Sequence, residues 1–360
     1  MLDLFADIER DCVISIPQSQ KRPIAIVGAG AIVDVAHLPA YSSIGLDVAG
    51  IFDVNTDRAQ DVATRHGVPR VYASIDELLG DDRVDVVDIA IVPWAQPDVV
   101  RQALSAGKHL LCQKPLAPSV GEAEELAALA EASGLKVAVN QQLRYDEGMA
   151  ALRSMLRRGW IGDPTTMSFT VNITTDWTAW SWLVESPRLD VNYHSIHYLD
   201  AIRSILGNPT TVFCTGSRTE GQLPIGETRS ISTLIFPGDV RAVVHVNHEN
   251  RSRDPEATFR LDGSEGSIRG SLGLLLDYPH GRPDTLEVFS RTLPTDGWTP
   301  YPVTKRWLPD AFAGPMASLL SWIDGGPTAP TAASDNVHTI QLIDALYRSM
   351  VTGTAQRLEE

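Results

Sequence analysis

Short apolar runs alternate with amphipathic stretches between residues 24 and 139. Five of the apolar runs predict strands of one sheet. They are IAIV from Ile24, DVAGIF from Asp47, VDVVDIAIV from Val84, HLLC from His109 and KVAV from Lys136. Because helical stretches separate them, the pattern predicts βαβ units and therefore an α/β domain on a doubly wound parallel sheet.

The predicted helices between these strands carry recognisable ends. Ser74 with Glu77, and Ser119 with Glu122, have the spacing of a capping box, which predicts a helix start at each serine. Gly107 and Gly134 stand where helix C-caps belong. These signals support the alternation of strands and helices.

After a predicted helix at residues 145–158 the pattern changes to strand-rich sequence. The runs are TMSFTVNIT, TTVFCTGS, SISTLIF, RAVVHVNH and EATFRL, and further helices are predicted only near His194 and at residues 310–323 and 334–350. Strands without intervening helices pair antiparallel, and such a sheet can leave one face open. We expect an α+β C-terminal domain with a large, mainly antiparallel, open-faced sheet and a homodimer or homotetramer.

The change of pattern also sets the expected domain ranges. A chain of 360 residues exceeds the roughly 250–300 at which one core stops growing, so two domains are expected. We assign residues 1–20 to an N-terminal extension, 21–144 to the first domain and 145–360 to the second. The extension could be a disordered arm or a strap between subunits.

Charge and composition narrow the function classes. With 45 acidic and 30 basic residues the net charge is −15, which repels phosphate backbones and anionic membranes, so neither nucleic acid nor membrane is an expected partner. No apolar run reaches the roughly 18 residues of a membrane helix, and the N-terminus is acidic where a secretory signal is basic. Three widely spaced cysteines suggest neither a disulfide framework nor a zinc ribbon. We expect a cytoplasmic protein.

A glycine turn follows the first predicted strand directly. Gly28 permits a tight turn, Gly30 lets the backbone approach a pyrophosphate, and Ala31 and Ile32 open the helix whose N-terminus would hold that group. Val33 stands where the dinucleotide fingerprint has its third Gly or Ala. The motif by itself therefore leaves a plain turn as an open alternative.

Asp53 at the end of the second predicted strand bears on the choice of cofactor. An acidic side chain there can accept hydrogen bonds from the adenosine ribose and would repel a 2′-phosphate. No arginine follows at once, and Arg58 lies further into the next helix, so NAD is favoured over NADP. The alternative is that Asp53 only begins a turn.

Longer ordered motifs go beyond the glycine turn. Gly28-Ala29-Gly30 is followed by His37-Leu38-Pro39-Ala40, then by AGKHLLCQKPLA at residues 106–117, HSIHYLDAIRSILG from His194 and SDNVHTIQLIDALYRSM near the end. Together these segments resemble the glucose-fructose oxidoreductase and inositol dehydrogenase family (Gfo/Idh/MocA). The resemblance implies a Rossmann NAD-binding domain, with Lys114 beside the nicotinamide and substrate, His197 as catalytic histidine and Asp200 as its helical neighbour.

The chain departs from the family pattern at several positions. Gln113 replaces the usual glutamate near the nicotinamide ribose, and Pro97 stands where many members have His after the cofactor-site proline, here Pro93. The Gly-Gly run expected before the histidine helix is missing. Tyr193 occupies the position four residues before His197 where members often have an aspartate, so Tyr193 could donate or relay a proton instead.

Residue chemistry supplies a mechanism. Oxidation of an alcohol carbon needs a base for the hydroxyl proton, a role suited to His197, while Lys114 would stabilise the negative charge that develops on the same oxygen. Taken alone, a helical histidine is more often structural and a lysine is usually on the surface, but the paired motifs favour the catalytic roles. His194 shares a helix face with His197 and is expected to contact substrate. With Asp200 the two histidines could hold an ion, but no partner motif accompanies them, so no metal is expected.

The tryptophan-rich stretch at residues 177–182 follows the first strand of the second domain. Trp177 and Trp180 could stack on a sugar ring or close a pocket, and burial against the sheet or a neighbouring subunit is the alternative.

Four further polar and aromatic residues are candidates for ligand contact. Asn140 follows the KVAV strand at the carboxyl edge, where open α/β sheets bind ligands, and is expected near the nicotinamide. Arg144 and Tyr145 follow at the same edge as candidate substrate contacts. Arg144 and Arg188 could recognise a carboxylate or several hydroxyls, although arginine is by default a solvated surface residue.

The leading hypothesis is an NAD-dependent dehydrogenase that oxidises a hydroxyl of a sugar, inositol or related polyol. One alternative is an enzyme that oxidises a sugar transiently so that a glycosidic or ether bond can be broken. Another is a sensor that binds NAD and a sugar without turnover. Retention of Lys114 and His197 favours an enzyme.

Overall fold

A computed structural model describes residues 4–252, 254–278 and 280–358, and they form two compact units. The parallel-sheet unit contains Ile14–Tyr145 and Leu308–Ile340. The mixed-sheet unit contains the described parts of Met1–Val13, Asp146–Trp307 and Gln341–Glu360. The predicted fold class is confirmed, because the first unit has a five-stranded parallel sheet and the second a nine-stranded, mainly antiparallel one.

Strands and helices alternate up to residue 145, and strands predominate afterwards. The first set is α1 (Ala6–Cys12), β1 (Ile24–Val27), α2 (Leu38–Ser43), β2 (Val48–Phe52), α3 (Thr56–His66), α4 (Ile75–Leu79), β3 (Val86–Ile89), α5 (Gln96–Ser105), β4 (His109–Cys112), α6 (Val120–Ser133) and β5 (Val137–Val139). The second set is α7 (Glu147–Arg157), β6 (Pro164–Asn172), α8 (Ser181–Val184), α9 (Asp190–Tyr193), α10 (Ser195–Leu206), β7 (Thr211–Ser217), β8 (Arg229–Ile235), β9 (Arg241–Asn247), β10 (Glu256–Gly263), β11 (Gly266–Ser271), α11 (Gly273–Leu276), β12 (Thr285–Ser290), β13 (Thr299–Tyr301), α12 (Ala313–Ile323), α13 (Ala333–Thr352) and β14 (Gln356–Arg357).

The parallel sheet has strand order β2-β1-β3-β4-β5 and is covered on both faces. Alternate residues of β1 show this, because Ala25 and Val27 belong to one buried cluster while Ile24 and Ile26 belong to another. A strand buried on both faces has no polar alternation, which is why these strands read as continuous apolar runs. The predicted helix caps are also confirmed, since Ser74 and Ser119 each accept a bond from the backbone N–H three residues on.

The third strand is shorter than its apolar run predicts. VDVVDIAIV spans residues 84–92, but β3 ends at Ile89. The Ala90 N–H donates to the Val27 carbonyl (2.8 Å), and the Ala90 carbonyl oxygen lies 2.3 Å from where a Cβ on Gly28 would stand. The apolar residues after Ile89 therefore pack against the glycine turn and do not lengthen the sheet.

The helix after the glycine turn contains a wide turn. Val33–His37 is π-helical, with the Leu38 N–H donating to the Val33 carbonyl five residues back. Pro39 lies within this helix, lacks an N–H and crowds the preceding turn, and a wider turn accommodates its ring. His37 is fully buried as a result of this path.

Helix α12 and the start of α13 belong to the parallel-sheet unit, although they follow the other sheet in the sequence. Met316 and Leu320 share a buried cluster with Ile24 and Ile26. The predicted range 145–360 placed this segment in the second domain. Sequence periodicity identifies the helix but not the sheet on which it packs.

The mixed sheet has strand order β13-β12-β11-β10-β6-β9-β8-β7-β14. Its neighbours pair antiparallel except β6 and β9, which are parallel. One face is buried, and the other leaves Phe213, Ile231 and Phe289 between 37% and 49% exposed. The open face predicted from the strand pattern is present.

The N-terminal extension forms part of the mixed-sheet unit. The Phe5 ring lies 5.3 Å from the Tyr301 ring and 5.9 Å from the Trp160 ring, and Ser154 Oγ donates to Asp11 Oδ2 (2.6 Å). Residues 6–12 form α1 against α7, so the alternative of a disordered arm does not describe them. Residues 1–3 lie outside the described part of the chain.

Candidate functional site

The glycine turn after β1 has one position where only glycine fits and one position with free space beside it. Gly28 has φ +107°, and the Ala90 carbonyl leaves no room for a Cβ there. A Cβ on Gly30 would meet no atom within 4 Å. Gly30 and Ala31 line a pocket of about 370 Å³ together with Asn55 and Arg58. The turn thus borders a cavity, and Ile32, two residues after Gly30, is half-buried.

Asp53 has more partners than its position at a strand end suggests. Its carboxylate accepts hydrogen bonds from the Ala29 N–H (2.7 Å) and the Asn55 N–H (2.8 Å). Arg58 also donates to it from Nη2 (2.6 Å) and Nε (3.3 Å). The expectation that Arg58 lies too far into the helix is wrong, because residue 58 is on the first turn of α3 and its side chain reaches back.

A buried polar network lies behind the carboxyl ends of β3, β4 and β5. His37 Nδ1 is 2.6 Å from Asp88 Oδ2, which also accepts a bond from the Tyr41 hydroxyl (2.6 Å). His37 Nε2 is 3.2 Å from the side-chain nitrogens of both Gln113 and Asn140. With Asp88 accepting at Nδ1, Nε2 is left to accept from the two amides. The network fixes the orientation of both.

Lys114 comes directly after Gln113 in the loop that follows β4, and the Gln96 side chain holds this loop. Gln96 Nε2 donates to the carbonyls of Gln113 (2.7 Å), Pro115 (3.0 Å) and Leu116 (3.0 Å). Lys114 is only partly exposed, and burial lowers its pKa to about 7. A lysine near neutrality can exchange a proton readily and still carry positive charge when an anion forms beside it.

Asn140 and Pro93 complete this edge of the parallel-sheet unit. Asn140 is fully buried directly after β5, and its Oδ1 has no hydrogen-bond partner among the described residues. Pro93 is buried in the loop between β3 and α5. An amide with one end fixed by His37 and the other unsatisfied is suited to a ligand that donates a hydrogen bond.

Arg144 and Tyr145, two predicted ligand contacts, pack against other residues of the parallel-sheet unit. Arg144 donates to the Pro330 carbonyl (2.7 Å) and to Asp335 Oδ2 (2.8 Å). The Tyr145 ring lies so close to Gly314 that a Cβ there would come within 2.3 Å of it. Tyr145 ties the segment after β5 to α12, and Arg144 ties it to the start of α13 and the residues just before it; these contacts to residues far along the chain could not be inferred from local sequence.

In the mixed-sheet unit, α10 carries the predicted histidine. The partly exposed His197 has its ring 5.3 Å from the Trp307 ring, edge to face. Asp200 is 1% exposed and lies 3.6 Å from Arg203. The structure therefore gives Asp200 a cationic neighbour on its own helix.

The aromatic stretch before α10 is divided between two surroundings. The Tyr193 ring packs edge-on against Trp182 (5.1 Å) within a small apolar cluster. Trp177 is 5% exposed and lies 5.5 Å from the His194 ring, while Trp180 lies 6.5 Å from it. Both tryptophans thus flank His194, a placement compatible with the pocket and with the core interpretation.

Arg188 lies on the surface of the mixed-sheet unit. Its guanidinium donates to Asp344 Oδ1 (3.1 Å) and stacks over the Tyr347 ring at 4.7 Å. The predicted substrate contact is therefore engaged with α13 residues.

Sequence reasoning missed a second buried polar cluster. Asp190 Oδ1 is 3.0 Å from His248 Nε2, and Ser195 and Ser230 donate their hydroxyls to the same carboxylate. The His248 ring lies 4.7 Å from the His194 ring. Asp190 stands four residues before His194, a spacing that could have been noticed, whereas His248 has no local signal beyond the end of a strand.

Comparison with known families gives two matches. The oxidoreductase family with an NAD-binding Rossmann fold (GFO_IDH_MocA) matches residues 22–141. The GFO/IDH/MocA C-terminal domain matches residues 149–269. Together the two matches span most of the chain.

Individual proteins are similar over nearly the whole length. D-apiose dehydrogenase from Paraburkholderia graminis is 26% identical over 93% of this chain and 89% of its own. D-xylose 1-dehydrogenase (NADP(+)) 2 from Haloferax volcanii is 26% identical over 93% and 99%. An oxidoreductase from Agrobacterium radiobacter, solved with NAD+, L-tartaric acid and magnesium, shares the fold with a TM-score of 0.82 at 24% identity over 94% and 98% of the chains.

Proposed function

Because the chain belongs to the Gfo/Idh/MocA family of oxidoreductases, we propose that it is an NAD-dependent dehydrogenase. It oxidises a hydroxyl of a sugar, inositol or related polyol, with His197 as general base and Lys114 assisting. The substrate class is supported by the sugar dehydrogenases among its relatives.

One observation carries the proposal. Functional groups that follow four different strands meet at the carboxyl edge of the parallel sheet: the Gly28–Gly30 turn after β1, Asp53 after β2, Gln113 and Lys114 after β4, and Asn140 after β5. This edge is where open α/β sheets bind dinucleotides.

The residues present fit a dinucleotide. Gly30 leaves space beside the backbone N–H groups at a helix start, which suits a pyrophosphate. Gln113 and the unsatisfied Asn140 Oδ1 are hydrogen-bonding groups for the nicotinamide end. NAD, when bound, supplies hydride acceptance.

The chain's own groups supply the proton chemistry. His197 removes the hydroxyl proton as the carbinol carbon is oxidised, because a neutral imidazole is a competent base near pH 7. Lys114 donates a hydrogen bond to the same oxygen and stabilises its developing negative charge. Its lowered pKa allows it to pass on a proton without a large energetic cost. Tyr193, His194, Trp177 and Trp180 belong to the proposed substrate side.

Preference for NAD is proposed from Asp53. A carboxylate at this position repels a 2′-phosphate. Arg58 offsets part of that charge, and it is the group through which NADP would gain binding. We place NAD first because Asp53 also holds the glycine turn through the Ala29 N–H.

The test is absorbance at about 340 nm with purified protein, NAD and a panel of aldoses, polyols, inositols and sugar acids. Reduced cofactor should appear with one substrate class. Lys114→Ala and His197→Ala should each lower turnover at least about 100-fold while NADH binding changes little. His245→Ala, an exposed histidine on β9, is the matched control and should retain turnover.

Normal turnover in the Lys114 or His197 variant would refute the mechanism. Absence of NADH across the panel, with NADH binding demonstrated by fluorescence, would replace the proposal with transient oxidation or sensing. Product analysis of glycosides and ethers separates those two.

Location and assembly are also proposed. Within the described residues, every helix is either too short or too polar to cross a bilayer. Cys12, Cys112 and Cys214 are unpaired, as a reducing cytoplasm allows. The open sheet face with Phe213, Ile231 and Phe289 is suited to pairing with a second copy, and light scattering after gel filtration should show a dimer or tetramer.

A further inference from the structure

The mixed-sheet unit brings together three side chains with metal-ligand chemistry. They come from separate places in the sequence: Asp190 begins α9, His194 separates α9 from α10, and His248 follows β9. One potential ligand atom from each lies within 4.8 Å of the other two. The grouping differs from the sequence-based alternative of His194, His197 and Asp200, because Asp200 lies against Arg203.

Hydrogen bonds around two of these residues hold them in place. His248 Nδ1 lies 2.8 Å from Thr175 Oγ1, which leaves Nε2 directed toward Asp190. Ser195 and Ser230 donate to the Asp190 carboxylate. Metal-binding imidazoles are commonly oriented by a hydrogen bond at the other ring nitrogen, as His248 is here.

Burial makes a bound cation favourable at this position. Asp190 and His248 are 0% and 1% exposed, whereas His194 is partly exposed. The described donors to Asp190 are hydroxyls and one imidazole, and a carboxylate at this depth is stabilised by a nearby positive charge. The exposed side of His194 provides an entry path.

We propose that Asp190, His194 and His248 bind a divalent transition-metal cation of the zinc class. Two imidazoles and one carboxylate form a three-ligand set that leaves a coordination position open, as in catalytic zinc sites. Ligand atoms on one zinc ion stand about 3.3 Å apart for bonds of about 2.0 Å, so binding draws the three groups slightly closer. The Trp177 and Trp180 rings flank His194, and the remaining coordination position would take an oxygen of a small molecule.

This proposal does not rest on the proposed dehydrogenase activity. The probes are Zn²⁺ and Co²⁺ added to tag-free, full-length protein after treatment with EDTA. After dialysis, elemental analysis should find about one ion per chain, and Co²⁺ should give the visible absorption of a four- or five-coordinate site. His194→Gln should lower affinity at least about tenfold, as loss of one of three ligands requires.

His245→Gln is the matched control, because His245 is exposed on the same strand that leads to His248. It should bind both ions like the unaltered protein. Asp190→Asn and His248→Gln should also lose the ion, and circular dichroism checks that they fold. His194→Gln keeps the test decisive if they do not, since His194 is partly exposed. Failure of the unaltered protein to retain either ion, or equal retention by His194→Gln, would overturn the proposal.

Discussion

Each unit of this protein buries one histidine against one aspartate, but the two pairs are built differently. In the parallel-sheet unit, His37 and Asp88 lie 2.6 Å apart and both are fully buried. In the mixed-sheet unit, His248 and Asp190 lie 3.0 Å apart at a similar depth. Tyr41 and the side-chain amides of Gln113 and Asn140 contact the first pair. Serine and threonine hydroxyls contact the second pair.

The two histidines differ in the partners of the ring nitrogen that does not face the aspartate. His37 Nε2 faces the side-chain amides of Gln113 and Asn140, the groups proposed above to contact the nicotinamide end of NAD. The cluster around His248 opens instead toward the partly exposed His194. The same chemical pair therefore positions other protein groups in one unit and contributes to a ligand-accessible cluster in the other.

Removing either carboxylate should have the largest effect. Asp88→Ala leaves the His37 and Tyr41 donors unpaired, and Asp190→Ala does the same to His248 and two serines. Each should lower the free energy of unfolding by about 3–5 kcal/mol in urea titrations. The exposed Asp98→Ala should change it by less than about 0.5 kcal/mol. Equal stability of Asp88→Ala and Asp98→Ala would show that the His37 pair contributes nothing.

Lys114 tests the cost of burying a positive charge. Burial lowers its pKa from 10.5 to about 7, so charging it opposes folding below pH 7, and stability rises as pH increases from 7 toward 10. Without cofactor, Lys114→Met should melt several degrees higher than the unaltered protein at pH 6–7. The gap should close toward pH 10 in differential scanning calorimetry. A lower melting temperature at pH 6 would contradict this.

The mixed-sheet unit also buries two neighbouring carboxyl groups, those of Asp146 and Asp284. Burial raises the pKa of Asp146 to about 6, and burial together with the charge of Asp146 raises that of Asp284. A raised folded-state pKa stabilises the fold fully below about pH 4, and this contribution is lost as pH rises through 6. Asp284→Asn should remove part of that loss, so its melting temperature relative to the unaltered protein should increase by a few degrees from pH 5 to pH 8. A constant difference over that range would show that the raised pKa values of Asp146 and Asp284 do not affect stability.

Arg58 should give the smallest effect. Arg58→Ala removes the cation from Asp53 and leaves the two backbone donors in place. NADH affinity, measured by fluorescence, should change less than about threefold, while NADPH affinity falls further because the remaining carboxylate repels its phosphate. Arg101→Ala, an arginine of the same unit that pairs with Glu125 on α6, is the control. Tighter NADPH binding by Arg58→Ala would reverse the assignment.

Local signals predicted most of the fold. The first strand, both capping serines and the strand-rich second half follow from periodicity and from side chains within three residues of a helix start. The end of β3 and the π turn at Val33–His37 did not, because each depends on a contact or a proline within a helix.

In the candidate site, too, local features could be predicted and contacts between distant residues could not. Asp53 and Asn140, which follow strands, could be predicted to share an edge because a parallel sheet brings its carboxyl ends together, whereas Lys114 was predicted from the family resemblance; their functional roles stay predictions. The partners of Arg144 and Arg188 come from sequence positions more than 150 residues away. No local pattern encodes such pairings, and the cluster of Asp190 with His248 was missed for that reason.

The placement of α12 has a consequence for biosynthesis. The cluster on one face of the parallel sheet contains Met316, Leu319 and Leu320 beside Ile24 and Ile26. When the ribosome has finished β5, that face still lacks its α12 residues, and it stays so while β6 to β13 are translated. The nascent first half therefore presents an apolar surface that holdase chaperones recognise, and a gene fragment ending at Tyr145 would yield a polypeptide prone to aggregate.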